Sequence, residues 1–181
     1  MKLVCISDTH GSHHDAVIPD GDVLIHAGDC TSNGGIVDAR DFLGWFGSMP
    51  HRHKILVAGN HDFCFENHHR SELVAMARKL GITYLEDSGA EIEGVRFWGS
   101  PVQPEFFNWA FNRKRGQEIN RHWRMIPDGT DVLITHGPPL GFGDVTARGL
   151  NAGCSGLIAA ISRIRPLAHV CGHIHEGYGV R

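Results

Sequence analysis

The sequence predicts an α/β protein built on a largely parallel sheet of short buried strands, whose loops open along one edge. Three observations carry this. Five apolar runs, at residues 3–6, 23–25, 55–58, 132–134 and 167–170, are short and bounded by polar turns. Each spills into a short polar cluster: Asp8-Thr9-His10, Gly28-Asp29, Gly59-Asn60-His61-Asp62, His136-Gly137 and Gly172-His173-Ile174-His175. Between the runs, apolar residues recur at helical spacing, as with Ile36, Ala39, Leu43 and Phe46.

In order, residues 2–7 read as the first strand, and His13 and His14 as exposed residues of the loop after it. Pro19-Asp20-Gly21-Asp22 turns the chain into a strand over 23–27, within which His26 reads as a hydrogen-bonded packing histidine. Asn33-Gly34-Gly35 opens a helix over 36–46, which Ser48-Met49-Pro50 ends. A third strand spans 53–57. The next helix covers 69–80, with Leu73, Met76, Ala77 and Leu80 facing inward and Gly81 stopping it. Residues 82–85 form a fourth strand, and Glu93-Gly94 makes a hairpin tip between 90–92 and 95–98.

The segment 101–112 carries Phe106, Phe107, Trp109 and Phe111, most of which are expected to pack a loop down. An exposed ring beside the polar clusters is suited to stack on a base. A charged helix follows over 113–125, its mixed charges marking a solvated face. A strand at 132–135, a helix at 157–164 stopped by Pro166 and a last strand at 167–171 complete the chain.

At 181 residues the chain suits one domain, spanning 1–181, with room for two sheets. A net charge of −3 disfavours a surface that coats a polyanion, so no long nucleic acid partner is expected. Cys5, Cys30, Cys64, Cys154 and Cys171 are odd in number and lack C-x-x-C spacing, which favours reduced thiols and a cytoplasmic location. Cys5 and Cys171 read as small core residues, and Cys30 as packing beside Asp29. No run reaches membrane-spanning length.

The polar clusters point to metal. Strands that open at one edge let ligands far apart in sequence converge. The set is rich in imidazole and carboxylate and has no thiolate, which suits an open Mn, Fe, Zn or Ni site rather than a closed structural zinc. Gly59, Gly137 and Gly172 read as turn formers that let the backbone approach the ions. Thr135 and Asp144 are candidates to orient the ligating imidazoles.

Taken in order, D-x-H, G-D, G-N-H-D, T-H-G and G-H-x-H resemble the calcineurin-like metallophosphoesterase superfamily. Residues 24–31, 109–112 and 135–141 are similar to its MPPED, or class III cyclic nucleotide phosphodiesterase-like, branch. The resemblance runs from Asp8 to Gly177. It implies a four-layer αββα sandwich of two mixed sheets flanked by helices. It also implies two divalent ions, Mn2+ first and Fe, Zn, Ni or Co as alternatives. Asp8, His10, Asp29 and His175 would hold one ion, and Asp29, Asn60, His136 and His173 the other. A metal-bridging hydroxide is the implied nucleophile.

Adjacent side chains diverge, so if Asn60 faces a metal His61 does not. It is assigned to the leaving-group oxygen as general acid, with Asp62 orienting it. The implied reaction is hydrolysis of small phosphodiesters, with 2′,3′- or 3′,5′-cyclic nucleotides as the substrate class. The alternatives are a phosphomonoesterase acting on nucleotides or nucleic acid ends, and a non-catalytic scaffold of the same fold. Relatives continue with further strands beyond G-H-x-H, whereas this chain ends at Arg181. The resemblance therefore implies that the C-terminal strands are missing and leaves an edge that invites a homodimer.

Overall fold

A computed structural model describes residues 1–180. The strands are β1 (Leu3–Ile6), β2 (Val23–Ala27), β3 (His53–Val57), β4 (Ile82–Tyr84), β5 (Ser88–Ile92), β6 (Val95–Ser100), β7 (Gln103–Pro104), β8 (Asn112–Arg113), β9 (Val132–Thr135) and β10 (Ala168–Val170). The helices are α1 (Ile36–Ser48), α2 (Arg70–Lys79), α3 (Gln117–Met125) and α4 (Ser155–Ile164).

One sheet runs β1-β2-β3-β4 and is parallel throughout; α1 and α2 provide the crossovers from β2 to β3 and from β3 to β4. The other runs β10-β9-β6-β5 and is mixed, because the tight Glu93-Gly94 turn makes β5 and β6 an antiparallel hairpin. Two mixed sheets were expected; only the second is mixed.

Alternation along the strands divides the core into three. Leu24 and Leu56 face α1 and α2, meeting Ala39, Phe42, Leu43, Phe46, Leu73 and Ala77. Val23, Ile25, Ala27, Ile55 and Val57 point the other way, onto Phe97, Val132 and Ile134 of the second sheet. Trp98 and Leu133 face outward from that sheet, onto Ile119 and Trp123 of α3 and Leu157, Ala160 and Ile164 of α4. The layers are therefore helix, sheet, sheet, helix. In α1 the residues Ala39, Phe42, Leu43 and Phe46 follow i, i+3, i+4, i+7 and are all fully buried. Burial of each large side chain among them contributes about 1.5–3 kcal/mol.

Several local expectations change. The helix expected from residue 113 starts at Gln117, because Gly116 takes a positive φ of 90° and Asn112–Arg113 instead pair with Gln103–Pro104. His13 is not an exposed loop residue. A 3-10 turn (His13–Asp15) seats it against Phe42 and Trp45, with Nε2 2.9 Å from Asp41 Oδ2, leaving it 1% exposed. Cys5 is exposed rather than core, since β1 ends its sheet and has no neighbour on its outer side. Phe106 and Phe107 are also exposed, whereas Phe111 is buried. His26 is buried as expected, with Nε2 3.1 Å from Thr9 Oγ1 and Phe42 beside the ring. Burial pulls its pKa down to about 3. Among the described residues no helix is long and apolar enough to cross a membrane.

Candidate metal centre

The five polar clusters all lie in the loops that leave β1, β2, β3, β9 and β10, and the fold brings them together. Three groups of donors form, each with its ligand atoms within 4.8 Å of one another: Asp8, His10 and His175; His10, Asp29 and His61; and Asp29, His136 and His173. Asp29 belongs to two of them. Its Oδ2 lies 3.8 Å from His10 Nε2 on one side and 3.4 Å from His136 Nε2 on the other. His175 Nε2 stands 3.6 Å from Asp8 Oδ1 and 3.4 Å from His10 Nε2. Asn60 Oδ1 reaches His136 Nε2 at 2.8 Å, and the His136 and His173 rings are 5.1 Å apart at 67°.

The backbone is bent to achieve this. Asp8, His10, Asp29 and His173 have φ of 54°, 44°, 57° and 71°, a left-handed region that costs a non-glycine residue about 1–3 kcal/mol. Compensating hydrogen bonds hold the bends. The Asp8 and His10 amides donate to the Gly28 and Asp29 carbonyls at 2.8 and 3.0 Å. The His173 amide donates to both Asp8 oxygens at 3.0 and 3.1 Å, and Ser7 Oγ to Oδ2. Glycine is required where backbone meets a candidate ligand. A Cβ on Gly59 would collide with Asp29 Oδ1, and one on Gly172 with Asp8 Oδ2. Gly28, with φ of 102°, has the same relation to His136 Nδ1. Gly137 does not, because a Cβ there would meet only Gln103 Cβ at an ordinary 3.5 Å.

Electrostatically the centre is built around Asp29. Burial alone would raise its pKa, but His136, the His61 amide and the His61 ring hold it below the usual carboxylate range. Burial pulls His136 down, yet the Asp29 carboxylate more than offsets this and lifts it to about 9. His173, half-buried beside His136, is pushed down to about 3 by its desolvation and by His136. The donor set fits a divalent cation. Imidazole nitrogens and carboxylate oxygens converge with no lysine or arginine in the three groups, and a divalent ion there would take the place of the proton that Asp29 holds on His136.

Main chain, rather than the side chains expected, orients the His136 ring. His136 Nδ1 lies 2.9 Å from the Ala27 carbonyl. Thr135 instead bonds the Gly137 carbonyl and His169, and Asp144 bonds Asn151 and the Gly153 amide. His61 is placed beside the centre, its amide donating to Asp29 Oδ1 at 2.7 Å and its Nδ1 2.6 Å from the Ser32 carbonyl. Asp62 does not pair with the His61 ring. It is fully buried and accepts from the Gly59, Cys30 and Thr31 amides and from Thr31 Oγ1. Residues 59–62 form a turn, closed by the Asp62 amide on the Gly59 carbonyl, that sends the Asp62 side chain inward, away from its neighbour. Ser32 and Gly28 were missed by the sequence reading. A carbonyl leaves no sequence signal, and Gly28 was noted only as part of G-D.

Comparison with known proteins supports the family resemblance. The family model for calcineurin-like phosphoesterases matches residues 1–177. The chain is 42% identical over 201 residues to metallophosphoesterase domain-containing protein 1 of Homo sapiens, covering 99% of this chain and 62% of that protein. It is 40% identical over 195 residues to a UPF0046 protein of Caenorhabditis elegans, covering 99% and 65%. The chain thus spans less than two thirds of these relatives' length. A solved structure superposes with a TM-score of 0.75 at 17% identity, over 98% of this chain and 85% of that one, a likeness of fold. The calcineurin-like fold implies divalent metal ions. This chain belongs to the calcineurin-like phosphoesterase family, in the branch of the metallophosphoesterase domain-containing proteins.

Proposed function

We propose that this protein is a phosphodiesterase of small phosphodiesters, with cyclic nucleotides (2′,3′ or 3′,5′) as its substrate class, working with two divalent ions. The observation that carries the reading is Asp29 Oδ2 standing between His10 Nε2 and His136 Nε2, so that one carboxylate serves two donor sets. Asp8, His10, Asp29 and His175 would hold one ion, and Asp29, Asn60, His136 and His173 the other. Mn2+ is the first choice for such an oxygen- and imidazole-rich open site. When bound, the pair supplies Lewis acidity and a water acidified for attack on phosphorus.

The chain's own residues do the rest. Asp29 would offset the repulsion between two cations, and it takes a backbone hydrogen bond from His61, which fixes its second oxygen. His61 gives its Nδ1 hydrogen bond to the Ser32 carbonyl, so Nε2 is the nitrogen left for proton transfer. As the attacking water gives up a proton and bonds phosphorus, the P–O bond to the leaving alcohol breaks and His61 Nε2 passes a proton to the leaving oxygen; His61 regains one afterwards, which balances the proton that the water shed. An alkoxide needs that proton most, which favours diesters with poor leaving groups.

Hydrolysis of bis-p-nitrophenyl phosphate against p-nitrophenyl phosphate, with Mn2+ added, tests the reading. Diester turnover should be the faster; a faster monoester rate makes the protein a phosphomonoesterase, and no turnover of either with metal bound makes it a scaffold. β1 and β10 each end a sheet, and a homodimer through such an edge belongs to this proposal. Light scattering that gives a stable monomer removes it. The odd cysteine count without C-x-x-C spacing supports a cytoplasmic location as part of this proposal.

A further inference from the structure

We propose that Trp109 is the positioning residue for His61, holding the imidazole where it can protonate the leaving group; this rests on the leaving-group role given to His61 above. The His61 ring is enclosed on three sides. Nδ1 is tied to the Ser32 carbonyl at 2.6 Å, the His10 ring meets it edge-on at 4.6 Å and 82°, and the Trp109 indole lies over it at 4.1 Å and 33°. A single hydrogen bond leaves an imidazole free to swing about its Cβ–Cγ bond. The indole packed against the ring removes that freedom.

Trp109 is itself held by a rigid strap. The segment between β7 and β8 is pinned where Gln103 donates its amide to the Phe111 carbonyl and Glu105 to the Arg113 carbonyl, at 3.2 and 2.9 Å. Asn112 Nδ2 donates to the Phe106 and Phe107 carbonyls at 3.1 and 2.9 Å. Next to the tryptophan, the Ala110 amide donates to the Asn60 carbonyl at 3.1 Å, and the Phe111 amide to Glu66 Oε2 at 2.7 Å. The strap is therefore fastened to the residue that precedes His61 and delivers the indole to its neighbour. Phe63 backs the indole at 5.9 Å. The tryptophan itself is half-buried.

The test uses the Mn2+-loaded protein and compares Trp109→Ala, Trp109→Phe, His61→Ala and the double variant Trp109→Ala/His61→Ala. Each is assayed on diesters with p-nitrophenolate and with alkyl leaving groups. Trp109→Ala should lower kcat on the alkyl esters about tenfold, with KM and metal content kept, and change the p-nitrophenyl ester much less. Trp109→Phe should restore most of the loss. In the double variant the Trp109 effect should vanish, because its target is gone. An equal loss on both leaving groups, or a Trp109 effect that persists without His61, overturns the positioning role. A leaving-group effect for His61→Ala but none for Trp109→Ala overturns it while sparing His61. No leaving-group effect for His61→Ala overturns the acid assignment itself. Melting temperature and metal analysis are read on every variant, and Trp109→Phe serves where Trp109→Ala does not fold.

Discussion

Asp29 Oδ2 lies 3.4 Å from His136 Nε2, in a pocket where the histidine is fully buried and the aspartate nearly so. The same oxygen faces His10 from the other side, 3.8 Å away. Two donor sets lean on one carboxylate, and its loss should be felt by both. Asp29→Ala is expected to lose at least one metal equivalent and nearly all activity, read by elemental analysis and Mn2+-dependent diester hydrolysis. Full metal content with activity within a few-fold of the parent would contradict the shared role.

Gly59 and Gly137 both follow strands at the site, yet only the first is pressed against the candidate ligands Asp29 and His136. Gly59→Ala drives a Cβ into Asp29 and His136, so metal affinity should fall about 10–100-fold, the range seen when ligand support is disturbed. Gly137→Ala meets only Gln103 Cβ at 3.5 Å and should leave affinity within about threefold. Calorimetric titration with Mn2+ measures both; similar losses in the two variants would show that close approach is not the cause.

Asp62 collects five donors from three residues in a fully buried pocket, the Cys30 thiol among them. Removing the acceptor strands them, so Asp62→Ala should destabilise the protein by about 3–5 kcal/mol in chemical denaturation. Its residual activity should show no special loss on alkyl leaving groups. Such a loss at unchanged stability would restore the discarded view that Asp62 serves the His61 ring.

His26 gives a pH dependence with a definite sign. Its folded pKa is about 3, against about 6.5 for an unperturbed histidine, so the unfolded chain binds the extra proton between these values. The stability from neutral His26 is whole above pH 6.5 and declines by about 1.4 kcal/mol per unit as pH falls, until it is lost below about 3. Urea titrations of the protein in chelator, at pH 7 and pH 5, should show His26→Gln losing less stability than the parent. Equal losses in the two proteins would remove His26 from the acid response.

The donor set was legible because each member ends a short apolar run, and parallel strands put such ends at one edge. Asp8, His10, Asp29, Asn60, His136, His173 and His175 all lie together for that reason. What was not legible is what main chain decides. The carbonyls of Ser32 and Ala27 orient His61 and His136, and any residue type supplies a carbonyl. The turn that sends Asp62 inward follows from the Gly59–Asp62 hydrogen bond, not from composition. Cys5 looks like core in a one-dimensional apolar run, and only sheet order shows that β1 has an open side. The four-layer architecture came from resemblance, and the strand alternation then showed why three cores form.

Anomalous diffraction from crystals grown with Mn2+ tests the central claim most directly. Two peaks should appear about 3.5–4 Å apart, with Asp29 between them, Asp8, His10 and His175 around one, and Asn60, His136 and His173 around the other. A single peak, or two peaks that do not share Asp29, would contradict it.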